Sequence, residues 1–394
     1  MAKDNLTQTE DYRELLKIAR ETTVLRTAAG IVSWDMETKM PPRGLEQRSE
    51  QLGLLDLMAH KMTTDPKVPA LLESGRGFSR MSAEQRRNVH LMRKSYDEAA
   101  KLPESLVSDT AKQRILTIGA WKKAKAAKRF ELYSKELARM IEMRKQAADI
   151  LMEVKGTKTP YDALIDIYEP SMTAERITVA FSTMKEGLMD IMRRIEAAGN
   201  EPNVDFLKRR VLVDEQRRIS EAAMDFIGFD TKGPNAGGRL DETEHPFTDG
   251  YYDDVRITTH YHEDHFTSSL FSVMHEGGHA LYEQDLPQKW KWQPIGNACS
   301  YGVHESQSRY VENMVGRSPE FLTWMLPRLR RMTGGALKGV RGTDFVRAIN
   351  LVEPSKIRID ADEATYGLHI IIRFEMERDI FAGKLKVKEL PQAW

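Results

Sequence analysis

Apolar positions recur at helical spacing through most of the first half of the chain. Leu15, Leu16, Ile18, Ala19 and Val24 set an apolar face on a helix over residues 12–29. Met40-Pro41-Pro42-Arg43-Gly44 interrupts that pattern, because proline cannot continue an α-helix. A second helix opens near Leu45, and further helical stretches cover residues 83–99, 104–121, 129–154 and 174–197. Ser82, three residues before Gln85, has the form of a capping box for the first of these. Ala197-Ala198-Gly199-Asn200-Glu201-Pro202 reads as a turn or hinge.

The texture changes after Phe226. Residues 231–254 are rich in Gly, Asp and Pro and read as loop with hairpin potential. Residues 254–261 alternate Val255, Ile257, Thr259 and Tyr261 and are β-branched, which predicts a strand. Helical patterns return over residues 267–283, 304–315, 319–332 and 361–381. The pattern is that of a mainly α protein with one small hairpin or sheet. It contains no internal repeat and no low-complexity tract.

Composition narrows the class. A chain of 394 residues with 41% hydrophobic and 30% charged residues can bury a large core. Its formal net charge of zero offers nothing to a nucleic acid or an acidic membrane surface. One cysteine, Cys299, excludes an internal disulfide framework and fits a reducing compartment. The polar N-terminus does not read as a secretory signal, and no run approaches a membrane span. The expected location is the cytoplasm.

Seven of the ten histidines fall between His245 and His304, which is where chemistry is to be sought. Within that stretch His275-Glu276-Gly277-Gly278-His279 has the HExxH form. On a helix, residues four apart share a face, so both imidazoles can reach one tetrahedral zinc. Glu276 can then stand beside the metal as a general base toward water. Chance alone would produce the motif in roughly one chain of this length in a hundred, so its surroundings decide. The flanking residues Leu270-Phe271-Ser272-Val273-Met274 and Ala280-Leu281-Tyr282 are largely apolar, as a buried site requires. Gly277 and Gly278 each cost about 1 kcal/mol in a helix interior relative to Ala. Close approach of a substrate or of another backbone would explain them; without a metal, His275 and His279 would be hydrogen-bonded core residues.

A zinc peptidase needs a third protein ligand. The extended motif with a later Gly and His is absent, since those positions hold Tyr282 and Asp285. The alternative is a glutamate from a later helix, and His304-Glu305-Ser306-Gln307 through Glu312 offers Glu305 or Glu312. Spacing does not choose between them, and Arg309 four residues from Glu305 also permits an ordinary helix-surface pair. A competing pattern, His260-Tyr261-His262-Glu263-Asp264-His265, matches the HxHxDH signature of dinuclear zinc hydrolases. That fold needs alternating strands and helices, which this pattern lacks. On a strand His260 and His262 would share a face, giving an adventitious metal site or a polar groove lining. A third segment, Lys356 to Arg373, combines arginines, acids, Tyr366 and His369 at the start of an apolar helix. Arg358 and Arg373 could grip a carboxylate through a bidentate fork, or serve as structural ion-pair partners.

In order along the chain, these segments resemble the carboxypeptidase Taq family of metallocarboxypeptidases. The resemblance is carried by Trp34-Asp35 with Met40-Pro41-Pro42, Tyr161-Asp162-Ala163-Leu164 with Tyr168-Glu169-Pro170, and Arg239-Leu240-Asp241. It continues through His245-Pro246-Phe247-Thr248, Asp254-Val255-Arg256-Ile257-Thr258-Thr259, the HExxH, His304-Glu305-Ser306-Gln307, and Ile357-Arg358 with Ala361-Asp362. It spans nearly all of the chain from Trp34. The resemblance implies a mainly α, multi-helix fold of the gluzincin type with a central groove and a homodimer. It also implies zinc, for which cobalt can substitute, held by His275, His279 and Glu305, with Arg358 on the substrate's terminal carboxylate. Two departures stand out. Relatives often carry Arg and Asp where this chain has His260, His262 and His265, which would make local charge pH-sensitive. The chain also ends at Leu390-Pro391-Gln392-Ala393-Trp394, where family members continue into a Gln-Asp-x-His-Trp segment and a Gly- and Tyr-rich stretch; the expectation is a shortened C-terminus.

The expected architecture is one helical metallopeptidase domain over residues 1–394, with a helical part at 1–200 and a metal-site part at 201–394. The expected activity is release of single residues from peptides with a free C-terminus. Glu276 would act as the base, His304 beside the metal or at the oxyanion, and Tyr366 and Arg373 with Arg358 at the substrate. The alternatives are another gluzincin, such as an oligopeptidase, or an inactive peptide-binding homologue.

Overall fold

The structure is a computed structural model, and it describes residues 10–74, 81–199, 201–358 and 361–394. It is mainly helical, with one small sheet. The chain divides into two compact units, each made of two stretches. The first comprises Met1–Tyr96 with Glu201–Leu351, and the second Asp97–Asn200 with Val352–Trp394.

In the first unit α1 (Glu10–Thr38), α2 (Leu45–Thr63) and α3 (Lys67–Ser74) follow one another, and α4 (Ala83–Lys101) begins there and continues past Tyr96 into the second. The first helix runs past the predicted residue 29 and ends just before the Met-Pro-Pro break. Leu15 and Ile18 pack on Val68, Leu72 and Met92, so α1, α3 and α4 share a small core. The capping box forms as its spacing predicts. The Gln85 amide donates to Ser82 Oγ at 3.2 Å, and Gln85 Oε1 accepts from the Ser82 amide at 2.9 Å.

The second unit holds α5 (Glu104–Ala127), α6 (Glu131–Lys155), α7 (Pro160–Tyr168) and α8 (Ala174–Ala198). Gly199, in the predicted turn, caps α8 with a left-handed φ of 56°. Buried Lys155 joins Glu98 at 3.0 Å and Asp166 at 2.8 Å.

The chain then returns to the first unit with α9 (Val213–Ile227) and the strands β1 (Gly238–Glu242), β2 (Thr248–Tyr251) and β3 (Asp254–Thr259). β3 is central, parallel to β1 and antiparallel to β2. The β2–β3 turn is tight, with Tyr252 at φ 52°. The predicted strand stops at Thr259 rather than at residue 261, so His260 and His262 lie beyond it. Val255 and Ile257 enter the main core with Ile219 and Ala223 of α9.

Next come α10 (Phe266–Gln284), α11 (Tyr301–Arg309), α12 (Pro319–Met332) and α13 (Gly342–Ile349). Leu270, Val273 and Met274 of α10 are fully buried in the same core. The predicted helix over residues 304–315 begins as α11 but widens into a π-helix at Tyr310–Gly316. The second unit closes with α14 (Glu363–Phe381) and α15 (Leu390–Ala393). Asp362 caps α14 by accepting from the amides of Ala364 and Thr365. Helices α3, α7 and α13, of eight or nine residues, are shorter than the window over which helical periodicity shows. Among the described residues no helix is long and apolar enough to cross a membrane.

Candidate metal centre

Helix α10 presents His275 and His279 on one face, with ring centroids 5.0 Å apart and planes at 83°. Its two interior glycines explain how a second helix reaches them. A Cβ on Gly278 would lie 2.7 Å from the Gln307 carbonyl oxygen and 2.8 Å from Ser308 Cα. A Cβ on Gly277 would lie 2.3 Å from Ile227 Cδ1 of α9. Of the two explanations open to the sequence, protein contact is the one realised: the backbone of α11 crosses at Gly278 and a side chain of α9 packs on Gly277.

That crossing brings in Glu305. Its Oε2 lies 3.3 Å from His279 Nε2 and 3.7 Å from His275 Nε2. One ligand atom from each of the three residues falls within 4.8 Å of the others, the one such group among the described residues. Ligands about 2.0–2.1 Å from a tetrahedral zinc would stand roughly 3.3 Å apart. The spacing and the donor set, two imidazole nitrogens and one carboxylate oxygen, therefore fit such an ion.

Glu312 occupies a different position. Its Oε2 pairs with His275 Nδ1 at 2.9 Å, on the far side of the ring from Glu305. An Nδ1–H donated to a carboxylate leaves the Nε2 lone pair facing the cluster. Arg317 reaches Glu312 Oε1 at 3.1 Å, and Arg309 reaches Oε2 at 3.4 Å. Arg309 also donates to Glu305 Oε1 at 3.0 Å. The helix-surface pair considered from the sequence is thus present, and it leaves Oε2 toward the histidines.

The electrostatics follow from this packing. Burial raises the Glu305 carboxyl, but His279, His275 and Arg309 outweigh it and bring its pKa down to about 2. Burial likewise raises Glu312, while His275 and Arg317 bring the net shift below the usual range. His275 is lowered by burial but raised more strongly by Glu312 and Glu276, so its net shift is upward. Both glutamates therefore remain carboxylates near neutrality.

Glu276 points to a separate partner. The Thr248 hydroxyl on β2 donates to its Oε2 at 2.6 Å. Only 7% of Glu276 is exposed, and burial raises its pKa against the opposing pull of His275 and Thr248. Thr248 was not singled out by chemistry in the sequence; only the fold brings it to α10. His304 stacks on His279 with centroids 4.5 Å apart, and its Nε2 is 2.9 Å from Glu283 Oε1. His279 Nδ1 is buried with no hydrogen-bond partner among the described residues.

The rival histidines do not converge. His260 Nδ1 contacts the Thr243 carbonyl at 2.8 Å, and the His260 and His262 rings sit 4.4 Å apart. His265 serves as the residue before α10. Arg358, Tyr366 and Arg373 belong to the second unit. Arg358 Nη1 donates to the Tyr366 hydroxyl at 3.3 Å, and the Arg373 guanidinium lies 4.9 Å from the Trp394 ring centroid.

Known proteins share this arrangement of sequence and fold. The family profile described as carboxypeptidase Taq (M32) metallopeptidase matches residues 14–394. The thermostable carboxypeptidase 1 of Thermus thermophilus is 38% identical over 393 residues, covering 97% of this chain and 76% of the relative. The crystal structure of an M32 carboxypeptidase from Deinococcus radiodurans superposes with a TM-score of 0.92 at 34% identity, over 98% of this chain and 76% of that one. A Pyrococcus furiosus carboxypeptidase structure gives a TM-score of 0.93 at 30% identity, over 99% of this chain and 78% of that one. The chain thus spans about three quarters of the length of these relatives. It belongs to the carboxypeptidase Taq (M32) family of metallopeptidases.

Proposed function

We propose that this metallocarboxypeptidase is zinc-dependent and removes single residues from the free C-terminus of peptides, with His275, His279 and Glu305 as the metal ligands. The observation that carries the reading is the convergence of three ligand atoms within 4.8 Å beside a buried glutamate held by Thr248. Cobalt would suit the same donors. When bound, the metal would polarise the scissile carbonyl and acidify a water.

The chain's own groups carry the remaining steps. Glu312 holds His275 in the tautomer that offers Nε2. Glu276 takes a proton from the attacking water and returns it to the leaving amine. Its upward-shifted pKa moves it toward the range in which a carboxylate can accept and release a proton near neutrality. Thr248 fixes the carboxylate's orientation, and His304 supports His279 by stacking. Arg358 would receive the substrate's terminal carboxylate, with Tyr366 beside it. Arg358 has no acidic ion-pair partner among the described residues, and Tyr366 takes one of its donors. Arg373 is assigned to the same substrate-binding role. The reading places the enzyme in the cytoplasm as a homodimer, and the exposed thiol of Cys299 fits a reducing compartment.

Two assays test this together. Metal analysis and peptide digestion of Glu276→Gln should show retained metal with turnover reduced by about a hundredfold to ten-thousandfold. Peptides with an amidated C-terminus should resist the wild type, whereas an oligopeptidase would still cleave them. Undiminished turnover in Glu276→Gln, or equal cleavage of the amides, overturns the reading.

A further inference from the structure

A second concave region lies within the first unit, between α1 and the sheet. It encloses about 430 Å³, inside the range of roughly 300–1,000 Å³ typical of small-molecule sites. One face of α1 lines it with Arg26, Gly30 and Trp34, and the opposing wall includes Asp249, Tyr251 and Trp292. No known role is attached to it by the proposed chemistry.

The charges of this cavity can be sorted by partner. Arg256 is taken by a bidentate pair with Asp254, at 2.7 and 2.8 Å. Lys291 is taken by Asp253. What remains is one cation and one anion. Arg26 makes no hydrogen bond or ion pair among the described residues, and Asp56 acts on it only through its field. Asp249 accepts from the Gly250 amide at 2.8 Å and makes no ion pair among the described residues, with Arg256 acting on it only through its field. Its Oδ2 lies 3.2 Å from where a Cβ on Gly30 would stand, so the absent side chain makes room for the carboxylate. Gly30 is one helical turn from Arg26, on the same face of α1. The two charges that make no ion pair thus line one cavity.

Three aromatic side chains of the lining are held in place. Tyr251 and Trp292 have ring centroids 5.1 Å apart, and the Tyr251 hydroxyl accepts from the Trp292 amide at 2.8 Å. Trp34 is buried under the guanidinium of Arg256 at 4.9 Å, and its Nε1 has no acceptor among the described residues. Burial raises the half-buried Asp249 carboxyl against the opposing pull of Arg256.

We propose that this cavity is a binding site for a small zwitterion, a free α-amino acid, with its carboxylate on Arg26, its ammonium on Asp249 and its side chain against Tyr251 and Trp292. Choosing an α-amino acid among small zwitterions rests on the proposed reaction, which releases that class of molecule; the binding measurement does not. The site backs directly onto the reaction centre. Successive residues of a strand face opposite sides, so Thr248 turns to Glu276 while Asp249 turns to α1.

The test is titration of the metal-loaded protein with L-leucine and L-phenylalanine, followed by calorimetry and by tryptophan fluorescence. N-acetyl-L-leucine and L-leucinamide, each lacking one charge, serve as comparison ligands on the wild type. The expected result is saturable binding of the free amino acids, weakened at least about tenfold in either capped ligand. Arg26→Gln and Asp249→Asn should weaken it by a similar factor while metal content and melting temperature stay near wild type. Binding should persist after chelation, since the metal ligands are not part of this cavity. No saturable binding up to millimolar concentration, equal binding of the capped ligands, or loss of all binding on chelation overturns the proposal. Peptide hydrolysis is measured separately, so failure of the proposed reaction and failure of this site give different results.

Discussion

Two short stretches hold five of this protein's ten histidines in two metal-like patterns, and they behave differently. His260, His262 and His265 sit between the end of β3 and the start of α10. His275 and His279 sit inside α10. In the first stretch a ring nitrogen turns to a backbone carbonyl and two rings lie against each other. In the second both Nε2 atoms face one carboxylate from a different helix. The lesson concerns convergence. Histidine density marks a polar region, but a site needs rigid presentation and a further ligand delivered by packing.

The sharpest test of that contrast is substitution on each side. His279→Ala should lose stoichiometric zinc and with it turnover, falling to background in peptide digestion, because two remaining ligands cannot hold a tetrahedral ion. His260→Ala combined with His262→Ala should leave metal content and turnover near wild type. Equal metal loss in both would erase the distinction between the two stretches.

A smaller effect is expected behind His275. Glu312→Gln keeps the side-chain shape but weakens the hold on His275 Nδ1. Zinc affinity should fall by about 10- to 100-fold in competition with a chelating dye. An unchanged affinity would show that His275 is oriented without Glu312.

The approach of α11 can be tested at Gly278. Gly278→Ala places a methyl against the backbone at Gln307 and Ser308. The helices must separate, at a cost of about 1–3 kcal/mol on chemical denaturation, and Glu305 should move away from the histidines. Stability and metal affinity should fall together. A loss of affinity without loss of stability would contradict the packing argument.

The smallest effect concerns an acid paired for structure rather than chemistry. Asp241 lies on β1 with Lys39 at 2.8 Å and Arg239 at 2.5 Å. Burial raises its pKa, but those two cations bring the net shift below the ordinary value. A depressed folded-state pKa stabilises above the unfolded value, near pH 4, and that contribution is lost as pH falls through the folded value. Asp241→Asn should therefore cost about 1 kcal/mol at pH 7, given the exposure of both cations, with the difference from wild type vanishing at strongly acidic pH. A gap that stays constant to low pH would assign the effect to something other than this charge.

Much of the helical fold was legible because its signals are local. The Met-Pro-Pro break, the Ser82–Gln85 box and the Gly199 turn each act within a few residues, and each stands where its chemistry requires. The helix over residues 319–332 matches its pattern end to end. Helix α9 was not legible as a separate element, and the pairing of β1 with β3 could not be read from either strand, since parallel register depends on what lies between them.

The candidate site divides the same way. Helical geometry alone places His275 and His279 on one face with Glu276 between them, because the 3.6-residue turn is set by the backbone. Spacing along the next helix left Glu305 and Glu312 equivalent, and only the resemblance to a family preferred one. The tertiary structure separates them physically, with Glu305 at the Nε2 atoms and Glu312 at Nδ1 of the same ring. It also decides what fills the space beside Gly277 and Gly278, and which hydroxyl steadies Glu276. Those outcomes rest on contacts between elements distant in sequence, whose approach is set by core packing rather than by any local pattern.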